Sequence, residues 1–424
     1  MLDRISAPAV NVVSEITFPK AKVAQLSNGV SVYGFNMGSQ EVVQVDIVFD
    51  VARSKAASPL VAKSVNEFIG EATVNYAPGE LNEIIDFYGG YLESSYSVDH
   101  SSVTLFSLNS KLKEVLPVFA EAVCASVFPE REFGIYLENA RQRFLVQKEK
   151  IGFLVGRTYA AALYGEHYYG KFTEETHFDS TSVADLNDFY SNYYTANNCR
   201  ILISGKYDDS LLEQLETLFG NMPSGKEGKE ALPVNIAQSQ VIFTAKDKAI
   251  QSGLRIGRIL PLEFGSKEYF EFKVLNTVLG GYFGSRLMSN IREDKGYTYG
   301  ISSNITFMKN ACVFGISTEV GAAVTDAAIT EVYKEIERLK TQLIEEDELE
   351  MVKNYMRGML LRSSDGVFSI AQQFKSVQFN GETLDFFQNF MKTIHSVQSE
   401  DLKRIANLYL NKSDLLEVVV GAKS

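Results

Sequence analysis

Short stretches of alternating or continuous apolar residues along the chain predict β-strands. They cover residues 42–51, 101–108, 200–204 and 253–260. Helical spacing of apolar residues fills longer segments, which include 112–127, 131–147, 325–343 and 345–361. This mixture predicts an α+β fold in which helices pack against a largely antiparallel sheet.

The pattern also repeats within the chain. Segments 183–205 and 399–421 align without gaps, and an aspartate, a tyrosine and a final glycine recur at an offset of 216: Asp185 with Asp401, Tyr193 with Tyr409, and Gly205 with Gly421. Earlier in each half, residues 91–95 (YLESS) match residues 299–303 (YGISS) at an offset of 208. Self-similarity of this kind predicts two homologous units in tandem.

The connection between the two units is predicted near residue 230. Residues 220–229 are rich in glycine and charge and lack hydrophobic periodicity, which is typical of an exposed linker. We therefore expect two domains of about 200 residues each, within the usual range for domains. Their predicted limits are 1–225 and 230–424.

Composition narrows the classes of function and location. The net charge of −12 opposes binding to nucleic acid or to anionic membrane, so neither partner is expected. The three cysteines are widely spaced and form no Cys-x-x-Cys pair. No stretch approaches the roughly 20 apolar residues of a membrane span, and the N-terminal region does not resemble a signal peptide. We expect a cytoplasmic location.

Residues 278–300 (VLGGYFGSRLMSNIREDKGYTYG) carry the most specific motif in the sequence. The segment closely resembles the second-domain signature of the pitrilysin/insulinase metallopeptidases, the family that includes mitochondrial processing peptidase. The resemblance extends over nearly the whole chain, including residues 89–91 (GGY) and 162–170. It implies two similar domains, the first of which carries the zinc motif His-x-x-Glu-His in active members.

The zinc motif is degenerate in this chain. The resemblance places Lys63 and Glu67 at the two histidine positions and Asn66 at the position of the general base. A lysine ammonium has no lone pair for a metal, and an asparagine amide cannot take a proton from water. The third ligand, a glutamate in the family, falls in a helix that brings Arg141, Gln142 and Arg143 near the expected place, with Glu138 as an alternative candidate.

No metal and no other cofactor is therefore expected in this chain. Its four histidines lack helical i, i+4 spacing, and we interpret each as structural: His100, His167, His177 and His395. Lys63 and Glu67 have two interpretations. They form either a solvated i, i+4 ion pair worth about 0.3 kcal/mol or a pair in which the ammonium replaces the lost metal.

The second half keeps a different part of the family's site. The resemblance assigns Arg292 and Tyr299 to the pair that contacts the peptide carbonyl opposite the zinc. A guanidinium and a phenol hydroxyl can both donate hydrogen bonds to an oxyanion. The alternative is a surface salt bridge from Arg292 to Glu293 or Asp294 beside a packed tyrosine. The short glycine-rich turn with Gly280, Gly281 and Gly284 is not a nucleotide-binding loop, and we expect it near the substrate.

The leading functional hypothesis is a non-catalytic, zinc-free subunit of a heterodimeric metallopeptidase. Such a chain would supply Arg292 and Tyr299 to a homologous zinc-bearing partner that acts on unfolded peptides, and it would hydrolyse nothing alone. One alternative is an inactive scaffold or peptide-binding homodimer derived from a peptidase, and a homodimer in isolation is compatible with both hypotheses. A third is an active enzyme with a non-standard metal site.

Overall fold

A computed structural model describes residues 15–230, 232–235 and 240–422. The first half forms a six-stranded sheet of order β1-β2-β8-β3-β6-β5, with a separate two-stranded pair, β4 and β7. Its strands are β1 (Lys22–Gln25), β2 (Ser31–Asn36), β3 (Val42–Phe49), β4 (Ala72–Thr73), β5 (Tyr91–Tyr96), β6 (Ser101–Leu108), β7 (Ser126–Val127) and β8 (Cys199–Gly205).

Eight α-helices accompany this sheet along the described part of the first half. They are α1 (Pro59–Phe68), α2 (Glu80–Phe87), α3 (Leu112–Cys124), α4 (Glu130–Lys148), α5 (Ile151–Tyr164), α6 (His177–Ser180), α7 (Val183–Tyr193) and α8 (Ser210–Phe219). Apolar faces of α1, α3, α7 and α8 meet the sheet in one buried core.

The second half forms a five-stranded sheet of order β11-β12-β10-β13-β9. Its strands are β9 (Val241–Ala245), β10 (Gln251–Leu260), β11 (Thr298–Met308), β12 (Ala311–Gly321) and β13 (Leu416–Gly421). Its α-helices are α9 (Lys267–Asn276), α10 (Thr325–Thr341), α11 (Glu346–Arg362), α12 (Val367–Gln378), α13 (Asp385–Ser396) and α14 (Ser399–Tyr409).

The two halves share their strand order. Reading the second sheet from β9 gives β9-β13-β10-β12-β11, which corresponds to β2-β8-β3-β6-β5 in the first. In both sheets the first of these pairs is parallel and the others are antiparallel. The predicted α+β class, with two homologous units in tandem, is confirmed.

The repeated residues have matching structural roles. Asp185 and Asp401 each occupy the third position of a helix, where the side chain accepts a hydrogen bond from the backbone N–H of the residue before that helix. Gly205 and Gly421 end equivalent strands with φ of +114° and +140°. A Cβ atom on Gly205 would come within 2.2 Å of the Val42 carbonyl oxygen, so the position excludes any side chain.

Each sheet is also covered by a helix from the other half. Helix α5 packs on β10 and β13, and α12 packs on β8 and β2. A buried ion pair stabilises the packing of α12 on the first sheet. Lys375 Nζ on α12 lies 2.6 Å from Asp46 Oδ2 on β3. The predicted domain limits at residues 225 and 230 stay a prediction, and the packing shows that each half completes the other.

One predicted helix is shorter in the structure. The spacing predicted a helix over 112–127, but α3 ends at Cys124 and Ser126–Val127 pair with Ala72–Thr73. The Ser126 hydroxyl donates to the Ala122 carbonyl and accepts from the Gly70 N–H, which draws the chain away from the helix axis. The spacing of apolar residues carries no information about these hydrogen bonds of Ser126, so it could not predict where the helix ends.

None of the helices in the described residues combines the length and apolarity that crossing a membrane requires. The cytoplasmic location stays a prediction.

Candidate functional site

Helix α1 is held in a fixed register by its cap and its buried face. The Ser58 hydroxyl accepts a hydrogen bond from the Val61 N–H, and Pro59 occupies the first turn, where its missing N–H costs nothing. Val61 and Val65 point into the core with almost no exposure. This rotation leaves Lys63 and Glu67 on the outer face of the helix.

Lys63 and Glu67 contact each other on that face. The Lys63 Nζ lies 3.5 Å from Glu67 Oε1, and the two side chains are 47% and 36% exposed. The Tyr136 hydroxyl on α4 donates to the other Glu67 oxygen at 2.7 Å. A pair this exposed matches the solvated interpretation rather than a cation sealed in a former metal position, and its stabilisation stays near 0.3 kcal/mol.

Asn66 points away from this face. It is 1% exposed, its Oδ1 lies 3.5 Å from the Tyr194 hydroxyl, and its Nδ2 has no hydrogen-bond partner within the described chain. A buried, neutral amide at this position cannot activate a water molecule at the helix surface.

The structure distinguishes the candidates for the third ligand position. Arg141 pairs with Asp179 at 2.5 Å, and Gln142 donates to Glu138 at 2.9 Å on the same helix. Arg143 lines the same cavity as Lys63. The side chains around this cavity thus include a lysine and an arginine, which do not fit a zinc ion because neither offers a lone pair.

Three of the four histidines have structural contacts, whereas the Nε2 of His395 is buried without a hydrogen-bond partner among the described residues. His100 Nδ1 lies 3.0 Å from the Ser97 hydroxyl and its ring stacks on Phe379, and burial lowers the pKa of this imidazole. His167 Nε2 lies 3.1 Å from the Leu232 carbonyl oxygen, and His177 Nδ1 accepts from the Glu174 N–H. Within residues 15–230, 232–235 and 240–422, no three His, Cys, Asp or Glu side chains converge to suit a metal.

The Arg292 segment follows a tight helical break after α9. A π-helical turn spans Thr277–Gly281, and a second spans Met288–Asp294. Gly280 lies against β11, where a Cβ atom would come within 2.6 Å of the Ser303 hydroxyl. This glycine therefore allows the turn to pack directly on the strand, and the expected substrate role of Gly280, Gly281 and Gly284 stays a prediction.

Arg292 is stacked on aromatic rings and has no acidic partner. Its guanidinium carbon lies 4.7 Å from the centre of the Phe283 ring and 5.4 Å from that of Tyr299. No salt bridge or side-chain hydrogen bond of Arg292 occurs among the described residues, so the salt bridge to Glu293 or Asp294 does not form. Tyr299 is not packed either, since it is 92% exposed.

A β-bulge presents Tyr299 to solvent. The register between β11 and β12 shifts between Thr298 and Ile301, and bulges of this kind re-aim side chains near functional sites. The Thr298 hydroxyl stabilises the bulge by donating to the Gly300 and Glu319 carbonyl oxygens. The sequence analysis missed both this bulge and the Phe283 ring, although the YTYG run of alternating aromatic and small residues could have indicated an irregular strand.

Tyr299 and Lys63 line different cavities. Tyr299 lies on an open concavity of about 960 Å³ whose lining comes from residues 251–324. This concavity also contains Arg255, whose pKa is lowered by burial. Lys63 lies on a cavity of about 390 Å³ whose lining comes from residues 53–178. The chain therefore does not join its two half-sites in one cavity.

Sequence comparisons show which known proteins the chain resembles. Residues 180–356 match the family described as "Peptidase M16 inactive domain". The "Uncharacterized zinc protease YmxG" of Bacillus subtilis is 27% identical over 68% of this chain and 71% of its own length. The "Probable mitochondrial-processing peptidase subunit beta" of Arabidopsis thaliana is 21% identical over 96% of this chain and 79% of its own length. These matches confirm the predicted resemblance to the pitrilysin/insulinase peptidases, and the family model itself covers residues 180–356.

Solved structures show the same fold. A crystal structure of a peptidase M16 inactive domain from Pseudomonas fluorescens superposes with a TM-score of 0.86 at 22% identity. The match covers 95% of this chain and 98% of that one. The likeness therefore extends through both sheets and the helices between them.

Proposed function

We propose that this chain is the non-catalytic, zinc-free subunit of a two-subunit peptidase and that it supplies Arg292 and Tyr299 to a homologous zinc-bearing partner. One observation carries the proposal: both donors are free of competing partners in the described chain, while α1 has lost its metal ligands. We expect this difference when one chain supplies the oxyanion donors and the other supplies the zinc site.

The chemistry of the pair suits this role. When water attacks a peptide carbonyl, negative charge develops on its oxygen, and donors already aimed at that oxygen lower the barrier. The guanidinium of Arg292 lies beside the rings of Phe283 and Tyr299 and makes no hydrogen bond to a described residue, so its N–H groups remain available. The partner's zinc would activate the attacking water, which no residue on α1 of this chain can do.

Contribution to a second chain is also supported by the cavities. If the two half-sites acted within one molecule, residues of both would be expected to line one cleft. Instead, the Tyr299 concavity and the Lys63 cavity have no lining residue in common. The likeness to a subunit of a processing peptidase agrees with an assembly of unlike chains.

Reconstitution with the partner tests the proposal. We would purify this chain from native cells, identify any co-purifying M16 chain with an intact His-x-x-Glu-His motif, and assay each chain and the mixture on unfolded peptides. We expect hydrolysis by the mixture at a rate that neither chain reaches alone. A complex in which this chain adds nothing to its partner's turnover would refute the proposal and favour an inactive scaffold.

A further inference from the structure

The cavity beside Lys63 is strongly cationic. It lies between α1, α4 and α5, and four basic residues line it: Arg53, Lys63, Arg143 and Arg157. No carboxylate is found among its lining residues in the described chain. This is unusual in a protein whose net charge is −12, because like charges around one cavity repel each other unless an anion offsets them.

The neighbouring acids do not neutralise this cluster. Glu67 pairs with Lys63, and Glu174 pairs with Arg157. Arg143 has neither a salt bridge nor a hydrogen bond to any described residue, and Arg53 donates to the carbonyl oxygen of Tyr168 rather than to an acid. Arg143 thus has no counter-charge among the described residues, and Arg53 interacts electrostatically with Asp99 without forming a direct ion pair.

Polar groups in the wall are also incompletely paired. Arg53 and Tyr96 interact with each other, but Arg53 Nε and the Tyr96 hydroxyl are buried without a hydrogen bond of good geometry to any described residue. Burial lowers the pKa of Arg53 and raises that of Tyr96, so both environments are costly for charge. The guanidinium of Arg53 has not found its full set of acceptors within the chain.

The rest of the cavity is aromatic. Phe144, Phe153 and Phe172 surround Arg157, with ring centres 4.9 to 5.9 Å from its guanidinium carbon. Phe178 also lines the cavity. A small inorganic anion would leave these rings uncovered, whereas a ligand with both a carboxylate and an apolar group would use both parts of the wall.

We propose that this cavity binds a carboxylate carried next to an aromatic side chain, as found at the C-terminus of a peptide that ends in an aromatic residue or in a peptide with an acidic and an aromatic residue in sequence. The carboxylate pairs with Arg143 and Arg53, and the aromatic group lies against the phenylalanines. The site does not depend on a partner subunit or on Arg292 and Tyr299.

Calorimetric titration of the full-length chain tests the proposal. The probes are N-acetylphenylalanine, its C-terminal amide, N-acetylglutamyl-phenylalaninamide and inorganic phosphate. We expect the free acid to bind at least about tenfold more tightly than its amide, since a charge-assisted pair is stronger than a neutral hydrogen bond. Tight binding by the glutamyl peptide would assign the carboxylate to a side chain instead of a C-terminus. Equal binding of acid and amide, no binding of either carboxylate, or tighter binding of phosphate would overturn the proposal.

A matched pair of variants assigns the binding to this cavity. Arg143→Ala should weaken the preferred carboxylate at least about tenfold through loss of its charge-assisted pair. Arg141→Ala removes the same charge two residues away on α4 but outside the cavity, and should leave the affinity within about twofold, since exposed charges at a distance are screened. Both arginines have substantial solvent exposure, and thermal melts would confirm that both variants fold. Equal effects of the two substitutions would show a general charge effect and contradict the assignment.

Discussion

Lys63 and Arg292 are cations at the two predicted half-sites, but their surroundings differ. Lys63 has a carboxylate at 3.5 Å on its own helix, and that carboxylate also accepts from Tyr136. Arg292 has two aromatic rings and no acid in the described chain. An acid partner occupies the donors of a cation, whereas a ring beneath a guanidinium leaves its edge free. The comparison indicates that Lys63 is paired within the chain, whereas the donors of Arg292 remain available to a ligand.

The neighbouring residues show the same contrast. Asn66, at the position of the family's base, is 1% exposed, whereas Tyr299 is 92% exposed on a bulged strand. A fully exposed tyrosine at a sheet edge adds little to stability, because it buries little apolar surface. The exposure of Tyr299 beside an unpaired arginine is therefore better explained by contact with a molecule outside the chain.

The largest expected effect is on turnover by the reconstituted complex. Arg292→Ala and Tyr299→Phe should each lower kcat by about a hundredfold, or roughly 3 kcal/mol, because each removes one donor to the oxyanion. Lys295→Ala, an exposed cation next in the same segment, is the matched control and should keep turnover. Steady-state kinetics on a peptide substrate measure all three, and unchanged kcat in both site variants would place the pair outside the reaction.

A smaller effect is expected when the zinc motif is rebuilt. Lys63→His, Asn66→Glu and Glu67→His together restore the motif but leave Arg143 facing the metal. Adding Arg143→Glu should tighten zinc binding by at least about tenfold, since it replaces a repelling cation with a ligand.

Competition with a chromogenic chelator gives these zinc affinities. Replacing Arg143→Glu with Arg141→Glu provides the control, because Arg141 pairs with Asp179 instead. If both fourth substitutions raise the affinity equally, the assignment of Arg143 to the third ligand position is wrong.

The smallest expected effect is on the free energy of unfolding when the Lys63–Glu67 ion pair is removed. Lys63→Ala should change the free energy of unfolding by less than about 0.5 kcal/mol, as for other exposed i, i+4 pairs. Urea denaturation followed by circular dichroism measures the difference. A loss of several kcal/mol would instead show that the ammonium fills a buried former metal position.

The sequence predicted the repeat and the α+β class because these follow from local spacing and a gapless internal match. The assignment of Lys63, Glu67, Arg292 and Tyr299 to the family's site rests on the resemblance and stays a prediction. The sequence did not predict that α5 packs on the second sheet and α12 on the first, since long-range packing leaves no periodic signal in the sequence. Arg143 could not be separated from Arg141 and Gln142 until helix α4 was placed against α1. The end of α3 depended on Ser126, whose hydroxyl competes with the helix for a carbonyl group.

The metal content of the purified chain tests the account most directly, because its central claim is that α1 has no metal ligands. Elemental analysis after extensive dialysis, with a zinc-bearing M16 peptidase treated in parallel, gives the number of zinc ions per chain. The account predicts far less than one zinc per chain here and about one in the control. Near one zinc per chain, retained through dialysis, would contradict it.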